Sequence, residues 1–373
     1  MDEKDLADDI AAAERIGRRN RRDTLIVTAV FLVLVGLAFL GVKLLNPGYS
    51  REPYRRVEFV LDDYVTVTAY GKDQSRVEEA VDAAFRELFR VQEVADRYRP
   101  ESELAAVNRE AAGGPVKVSD DLWNILETGM ELYRVSGGAF DITVGPLVDL
   151  WDVVGRGERG DPPPGEEEIA RAREAVGADK LELDAAARTV RFARPGMVID
   201  VGGLAKGYAL DRAAQALRSR GITSGYISMI STDLTLGDKP SAAGGPSWRI
   251  AVLDPRGEGY LATLLLPGES YVSTSGDYQR YFEYQGVRYH HILDPRTGRP
   301  AGGAVSVTVV GGRDGAWSDG LSTAAFVKGY PEGLDWLEAM EGVECLMVDA
   351  SGGTHATRGM DSMLEEMKES AGS

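Results

Sequence analysis

Four segments of this chain set polar side chains among glycines, and each could do chemistry. In Gly137-Gly138-Ala139-Phe140-Asp141-Ile142-Thr143, an extended run after the glycine pair would bring Asp141 and Thr143 to one face. In Val198–Asp211, an apolar strand ends on Asp200, Gly202-Gly203 turn the chain, and a helix follows with Lys206 near its start. Backbone N–H groups at such a turn suit an anion, and the lysine adds charge. Tyr289–Pro300 offers an imidazole, a carboxylate and a guanidinium between His290 and Arg296. In Trp317–Ala324, a helix would put Asp319 and Thr323 on one face, four residues apart. Each segment also has a plainer reading. Asp294-Pro-Arg-Thr-Gly298 is a common tight turn, and Asp319 could cap a helix. Taken together, hard oxygen ligands, a glycine turn, a lysine and a histidine describe a Mg²⁺-assisted phosphate or nucleotide site.

Other chemistries lack their residues. There is no H-E-x-x-H, no G-x-S-x-G and no Walker A frame around Lys206, and the histidines number only 3. The single Cys345 excludes an intramolecular disulfide framework and a cysteine zinc site. A net charge of −17 without a basic stripe excludes nucleic acid as a partner. Gly155, Gly157 and Gly160 match G-x-G-x-x-G, but Pro162-Pro163-Pro164 follow where a helix is required. Arg156–Glu168 therefore reads as a surface loop.

The elements that must position these residues are short and mixed. Residues 56–70 alternate and are rich in Val and Thr, a strand pair or bent strand. Glu78–Tyr98 has helical spacing, with Val77, Val81, Phe85, Leu88, Val91 and Val94 on one side. Asp121–Val135 reads as a helix capped by Ser119 and stopped by Gly137-Gly138. A short helix is expected over 169–176, strands over 181–184, 189–193 and 197–201, and a helix over Asp211–Arg220. Residues 225–310 read as short strands, Leu321–Phe326 begins a helix, and 343–349 is a final strand. The fold class is α+β, with mixed or antiparallel sheets flanked by helices.

The N-terminal part is different in kind. Leu25–Val42 carries no acidic or basic residue and as a helix spans about 27 Å at ~1.5 Å per residue, close to a bilayer core. Arg15, Arg18, Arg19, Arg21 and Arg22 precede it, and no small-x-small cleavage site follows. The expected order is a cytoplasmic tail (1–24), an uncleaved single-pass anchor (25–45) and a linker (46–56). A catalytic domain outside the cytoplasmic membrane (57–355) and a polar tail (356–373) complete it.

Five stretches, in order, resemble the ApbE family of FAD:protein FMN transferases. They are GGAFDITVGPLVDLW (137–151), IDVGGLAKGYALDRA (199–213), VSTSGDYQRYF (272–282), HHILDPRTGRP (290–300) and SDGLSTAAFVKG (318–329). A weaker match is YRPESELAAVN (98–108). The resemblance spans roughly 57–350 and implies an ApbE-like fold. It also implies transfer of the FMN moiety of FAD, with Mg²⁺, to a Thr or Ser of an extracytoplasmic flavoprotein, releasing AMP. Carried over, Tyr98, Ala139, Phe140, Asp141, Asp200, Lys206 and Ile292 would bind FAD. The Gly203 carbonyl, Asp319 and Thr323 would hold Mg²⁺, and His291 would be the acid/base. FAD hydrolysis to FMN and AMP, or flavin binding without catalysis, are the alternatives. Two places depart from the family's usual pattern. Ser231-Thr232-Asp233 stands for Gly-Gly-Asp/Asn, and Leu61-Asp62-Asp63 for a Met followed by Gly-Thr or Asp-Thr.

Overall fold

The computed structural model describes residues 52–367. The expected membrane anchor (25–45) lies outside the described residues, among which no helix is long and apolar enough to cross a membrane.

Eight strands form the central sheet: β1 (Tyr54–Val60), β2 (Asp63–Ala69), β3 (Gly225–Ser228), β4 (Thr232–Leu236), β5 (Ser270–Gly276), β6 (Ala304–Gly311), β7 (Val343–Asp349) and β8 (Thr354–Ala356). Their order in space is their order in sequence, and every neighbouring pair is antiparallel. The sheet is thus a meander, and all other elements are insertions between its strands except those that follow β8, among them the strand Leu364–Met367. β1 begins at Tyr54, within the stretch read as linker. The β1–β2 turn is tight: Val60 pairs with Asp63, so Leu61 and Asp62 alone make the bend. Both have positive φ, 56° and 59°, the turn geometry that follows strand twist but strains a leucine. Gln92 Oε1 holds the Leu61 N–H at 2.6 Å, and Arg280 holds Asp62 Oδ2 at 2.6 Å.

Helices α1 (Gln74–Ala95), α2 (Asp120–Ser136) and α3 (Ala205–Arg218) come from the long β2–β3 insertion; α4 (Gly315–Lys328) joins β6 to β7. The apolar stripe of α1 is buried at Val77, Val81, Phe85, Leu88 and Val91, as its spacing requires. Ser119 caps α2 at Leu122 N, and Gly137 closes it with φ 66°. The main core lies between these helices and the sheet, with Val65, Val67, Val307, Leu321 and Phe326 fully enclosed. Each such aliphatic or aromatic side chain contributes about 1.5–3 kcal/mol on burial. A three-stranded sheet (Ser247–Leu253, Tyr260–Pro267, Leu364–Met367) covers other apolar residues of the meander, packing Trp248, Ile250, Leu264 and Leu266 with Tyr70, Val272, Val310 and Leu346. β6 is therefore buried along nearly its whole length. A third cluster joins Leu147, Trp151, Ile169, Phe282 and Leu293.

Several local expectations change. Residues 197–201 do not form a strand; they make one parallel bridge, Val144 to Val198. The Asn108 side chain pairs with the Ile199 N–H and C=O instead of a neighbouring strand, at 2.8 and 3.0 Å. The stretch read as a loop over Arg156–Glu168 is partly helical, over Val153–Arg159 and again from Glu166. α3 begins at Ala205, as the Gly202-Gly203 turn implies but ahead of the expected Asp211, and α4 begins at Gly315, ahead of Leu321. Their first turns are rich in Gly and Ala, so helical periodicity is weak there, and tertiary contacts decide. The stretch expected as a polar tail is folded to Met367, because Met360 fills the second core and Leu364–Met367 pairs with the small sheet.

Candidate functional site

α3 and α4 cross on glycine. A Cβ on Gly207 would lie 2.0 Å from the Gly315 carbonyl oxygen, so the backbones touch where no side chain fits. Asp211 fixes this crossing from α3, accepting the Gly315 and Ala316 N–H groups at 2.8 and 3.2 Å. It thereby satisfies amides at the start of α4.

Along α4 the crossing brings Asp319 to the first turn of α3. Its Oδ2 accepts the Gly207 N–H at 3.2 Å and its Oδ1 the Thr232 hydroxyl at 3.4 Å. Asp319 does cap a helix, but it is the neighbouring one; α4 itself is capped by Asp314. The Gly207 amide, which a longer helix would direct to the Gly203 carbonyl, is thus spent on Asp319. One turn on, Thr323 Oγ1 donates to the Asp319 carbonyl oxygen at 3.3 Å and lies 3.2 Å from Ser275 Oγ. Gly203 sits against both Thr323 and Phe140: a Cβ there would be 3.4 Å from Thr323 Oγ1 and 3.0 Å from Phe140 Cε2. Gly203 and Thr323 are therefore neighbours, and Thr323 lies one turn beyond Asp319, whose carboxylate is turned to Gly207 and Thr232. All three offer hard oxygen atoms, which suits Mg²⁺ with further positions left for water or phosphate. Burial pushes the Asp319 carboxyl up to about 6, against the Gly207 amide and the Lys206 ammonium, which favour its charged form. A divalent cation would offset the same cost, so the donor set fits one.

Lys206 acts electrostatically on both Asp319 and His291. Its ammonium is paired with Asp63 Oδ2 at 2.8 Å. The two adjacent histidines divide their roles. His290 is buried, donates from Nε2 to the Ala301 carbonyl at 2.8 Å and accepts the Ile292 N–H at Nδ1, 3.3 Å. Both its nitrogens are used in holding the turn. His291 is half-buried and has its Nδ1 3.2 Å from the Arg280 carbonyl. That contact makes Nδ1 the protonated nitrogen and leaves Nε2 as the basic one. Burial, reinforced by His290, Arg280 and Lys206, lowers the His291 pKa to about 4, so the ring is neutral at neutral pH.

The remaining residues line the approach or support it. Asp200 Oδ1 accepts the Gly202 N–H at 2.9 Å, and Oδ2 accepts from Arg97 at 3.0 Å. Arg97, nearly enclosed, also pairs with Asp149 and lies 4.8 Å from the Tyr98 ring centroid. Tyr98 itself is 70% exposed, a flat aromatic surface beside this ion network. Ala139, Phe140 and Ile292 are buried. Asp141 does not share a strand face with Thr143. Its Oδ1 takes the Thr143 N–H and hydroxyl at 2.8 and 2.6 Å, and its Oδ2 takes the Ala178 N–H at 3.1 Å. The carboxylate is used in tying its own loop to residue 178. Asp294 likewise makes the tight turn of its plainer reading, accepting the Gly298 N–H on its carbonyl at 2.8 Å. Sequence reasoning assigned no role to Arg97, Ser275 or Arg280, and marked Asp63 and Thr232 only as departures from the family's pattern. An acidic pair opening a Val/Thr-rich strand was the available signal for Asp63.

The meander with its inserted helices sets oxygen donors, a lysine and a neutral histidine near one another. The chain belongs to the ApbE family, which it matches over residues 61–347. It is 33% identical over 312 residues to the FAD:protein FMN transferase of Treponema pallidum, covering 79% of this chain and 84% of that one. With the FAD:protein FMN transferase of Vibrio cholerae it shares 35% over 265 residues, 70% and 77% of the two chains. Among solved structures, the ApbE protein of Thermotoga maritima superposes with a TM-score of 0.76 at 30% identity, covering 84% of this chain and all of that one. The flavin transferase ApbE of Vibrio cholerae superposes at 0.73 with 28% identity, covering 84% and 99%.

Proposed function

We propose that this enzyme transfers the FMN moiety of FAD to a Thr or Ser hydroxyl of an acceptor protein, with Mg²⁺, releasing AMP. The observation that supports the reading is the packing of Gly203 on Thr323 and of Asp319 on the start of α3, with Lys206 acting on both Asp319 and His291. Bound there, Mg²⁺ would neutralise charge on the pyrophosphate. Lys206 adds a second positive charge, which matters in a chain this acidic. Neutral His291 takes the proton of the incoming hydroxyl at Nε2. The acceptor oxygen bonds to the FMN phosphorus, the bridging P–O bond breaks, and AMP leaves with its electron pair. Tyr98 offers a stacking surface for an aromatic ring. Leu25–Val42 and its preceding arginines support an anchored enzyme acting outside the cytoplasmic membrane on extracytoplasmic flavoproteins.

The test is AMP release from FAD by the purified chain, with and without acceptor and Mg²⁺, beside a denaturing gel read by flavin fluorescence. A fluorescent acceptor band with matching AMP that disappears on chelation is expected. AMP without protein labelling points to hydrolysis instead, and neither product sinks the reading.

A further inference from the structure

Asp63 opens β2 and is 1% exposed. Its Oδ2 accepts from Lys206 Nζ at 2.8 Å and from the Ile230 N–H at 3.1 Å. Its Oδ1 is buried and has no hydrogen-bond partner. An ionised oxygen in that state is costly, because desolvation is not offset by any donor. A second carboxyl lies nearby: Asp233 accepts the Tyr226 hydroxyl at 2.6 Å and is pushed up by burial and, to a smaller extent, by the charge of Asp63. A donor that arrives with the ligand would satisfy the Asp63 Oδ1.

The geometry points to Asp63 as a ligand-binding residue whose Oδ1 takes a hydroxyl or amino donor of the bound dinucleotide, while its Oδ2 keeps Lys206 in place for the phosphates. This deepens the function proposed above and rests on it. A phosphate oxygen is excluded as the Oδ1 partner, since both would be anionic acceptors. An acceptor protein is a poorer source than FAD. Asp63 is buried, whereas Ile230, bonded to it through its amide, is 68% exposed. Asp63 thus separates the two ends of one ligand, with the phosphates toward Lys206 and a sugar hydroxyl or ring amine toward the carboxylate.

The experiment compares FAD with inorganic pyrophosphate, both with Mg²⁺, in equilibrium binding to wild-type, Asp63→Ser and Asp63→Asn enzyme. Losing a hydrogen bond to a charged group should weaken FAD binding about tenfold or more. Pyrophosphate, which has no such donor and gains a freed Lys206, should bind as well or better. Competition by FMN and by AMP then tells which half carries the donor: the half whose affinity falls in the variants. Asp63→Asn keeps the side-chain shape and an acceptor for Ile230, so it serves if Asp63→Ser does not fold; a melting curve decides which is used. FAD and pyrophosphate affinities that fall together would reduce Asp63 to a counter-ion of Lys206 and overturn the inference. Unchanged FAD binding would overturn it as well. A wild-type chain that does not bind FAD removes the proposed function and this inference together; a wild type that binds it leaves only the inference at stake.

Discussion

Two glycine pairs, 137–138 and 202–203, precede polar residues in similar sequence surroundings, yet the fold uses them oppositely. At Gly137-Gly138 both φ angles are positive and the pair ends a helix, Gly137 in open space and Gly138 in ordinary contact with the Tyr133 ring. The polar residues that follow turn inward, with Asp141 and Thr143 bonded to each other and to residues 177 and 178. At Gly202-Gly203 neither φ is in that region. There glycine serves close approach, to Phe140 and Thr323, and the residues beyond it, Lys206 and Gly207, address other elements: β2 and α4. The difference teaches that a Gly-Gly-polar motif reports a tight backbone; whether its polar atoms face a ligand depends on what packs against them.

The comparison breaks most visibly at Asp319. Asp319→Ala should lower AMP release by about 10²–10³ or more, while the lost α3 cap costs about 1–2 kcal/mol of stability. Full activity restored by excess Mg²⁺ would take the residue out of the metal site. Glycine substitutions come next. Gly207→Ala forces a Cβ into the Gly315 carbonyl and should cost about 3 kcal/mol or more in urea unfolding. Gly137→Ala meets no neighbour but keeps its φ of 66°, for about 1–2 kcal/mol. Equal losses at the two sites would erase the distinction.

Asp141→Ala should cost about 1–3 kcal/mol through its unpaired donors, with AMP release at saturating FAD unchanged in the folded fraction. A large drop in turnover instead would put Asp141 in the ligand site. The smallest effect is a pH drift. Burial raises the Asp211 carboxyl to about 7, above its unfolded value near 3.9. Between about pH 4 and 7 the unfolded chain ionises first, so the wild type loses stability as pH rises through that window. Asp211→Asn should flatten this slope, seen in urea midpoints at pH 5 and pH 7.5; parallel curves for the two proteins would count against it.

Much of the site was legible in the sequence, for reasons that differ by residue. Asp319 and Thr323 share a face because helical spacing is local, and α2's ends were fixed by Ser119 and Gly137 in the same way. The start of α3 was legible from the Gly202-Gly203 turn but not from periodicity, and that of α4 was not legible, because glycine and alanine carry no periodic signal and a contact between the helices replaces it. Asp63 stood out only as part of a departure from the family's pattern, since its partners, Lys206 and Ile230, are far away in the chain. His290 and His291 are adjacent and identical in type; only the Ala301 and Arg280 carbonyls separate a structural ring from an available one.

By itself the sequence determined which residue types could supply oxygen atoms, a cation and an imidazole, and which short helices and strands would carry them. Those properties depend on covalent chemistry and neighbours a few residues away. The tertiary structure alone decided that the Gly207–Gly315 crossing sets Asp319 on the start of α3, beside Lys206, and that Asp141 is consumed in its own loop. Hydrogen bonds between distant segments compete for the same donors, and only the packed chain shows which of them win.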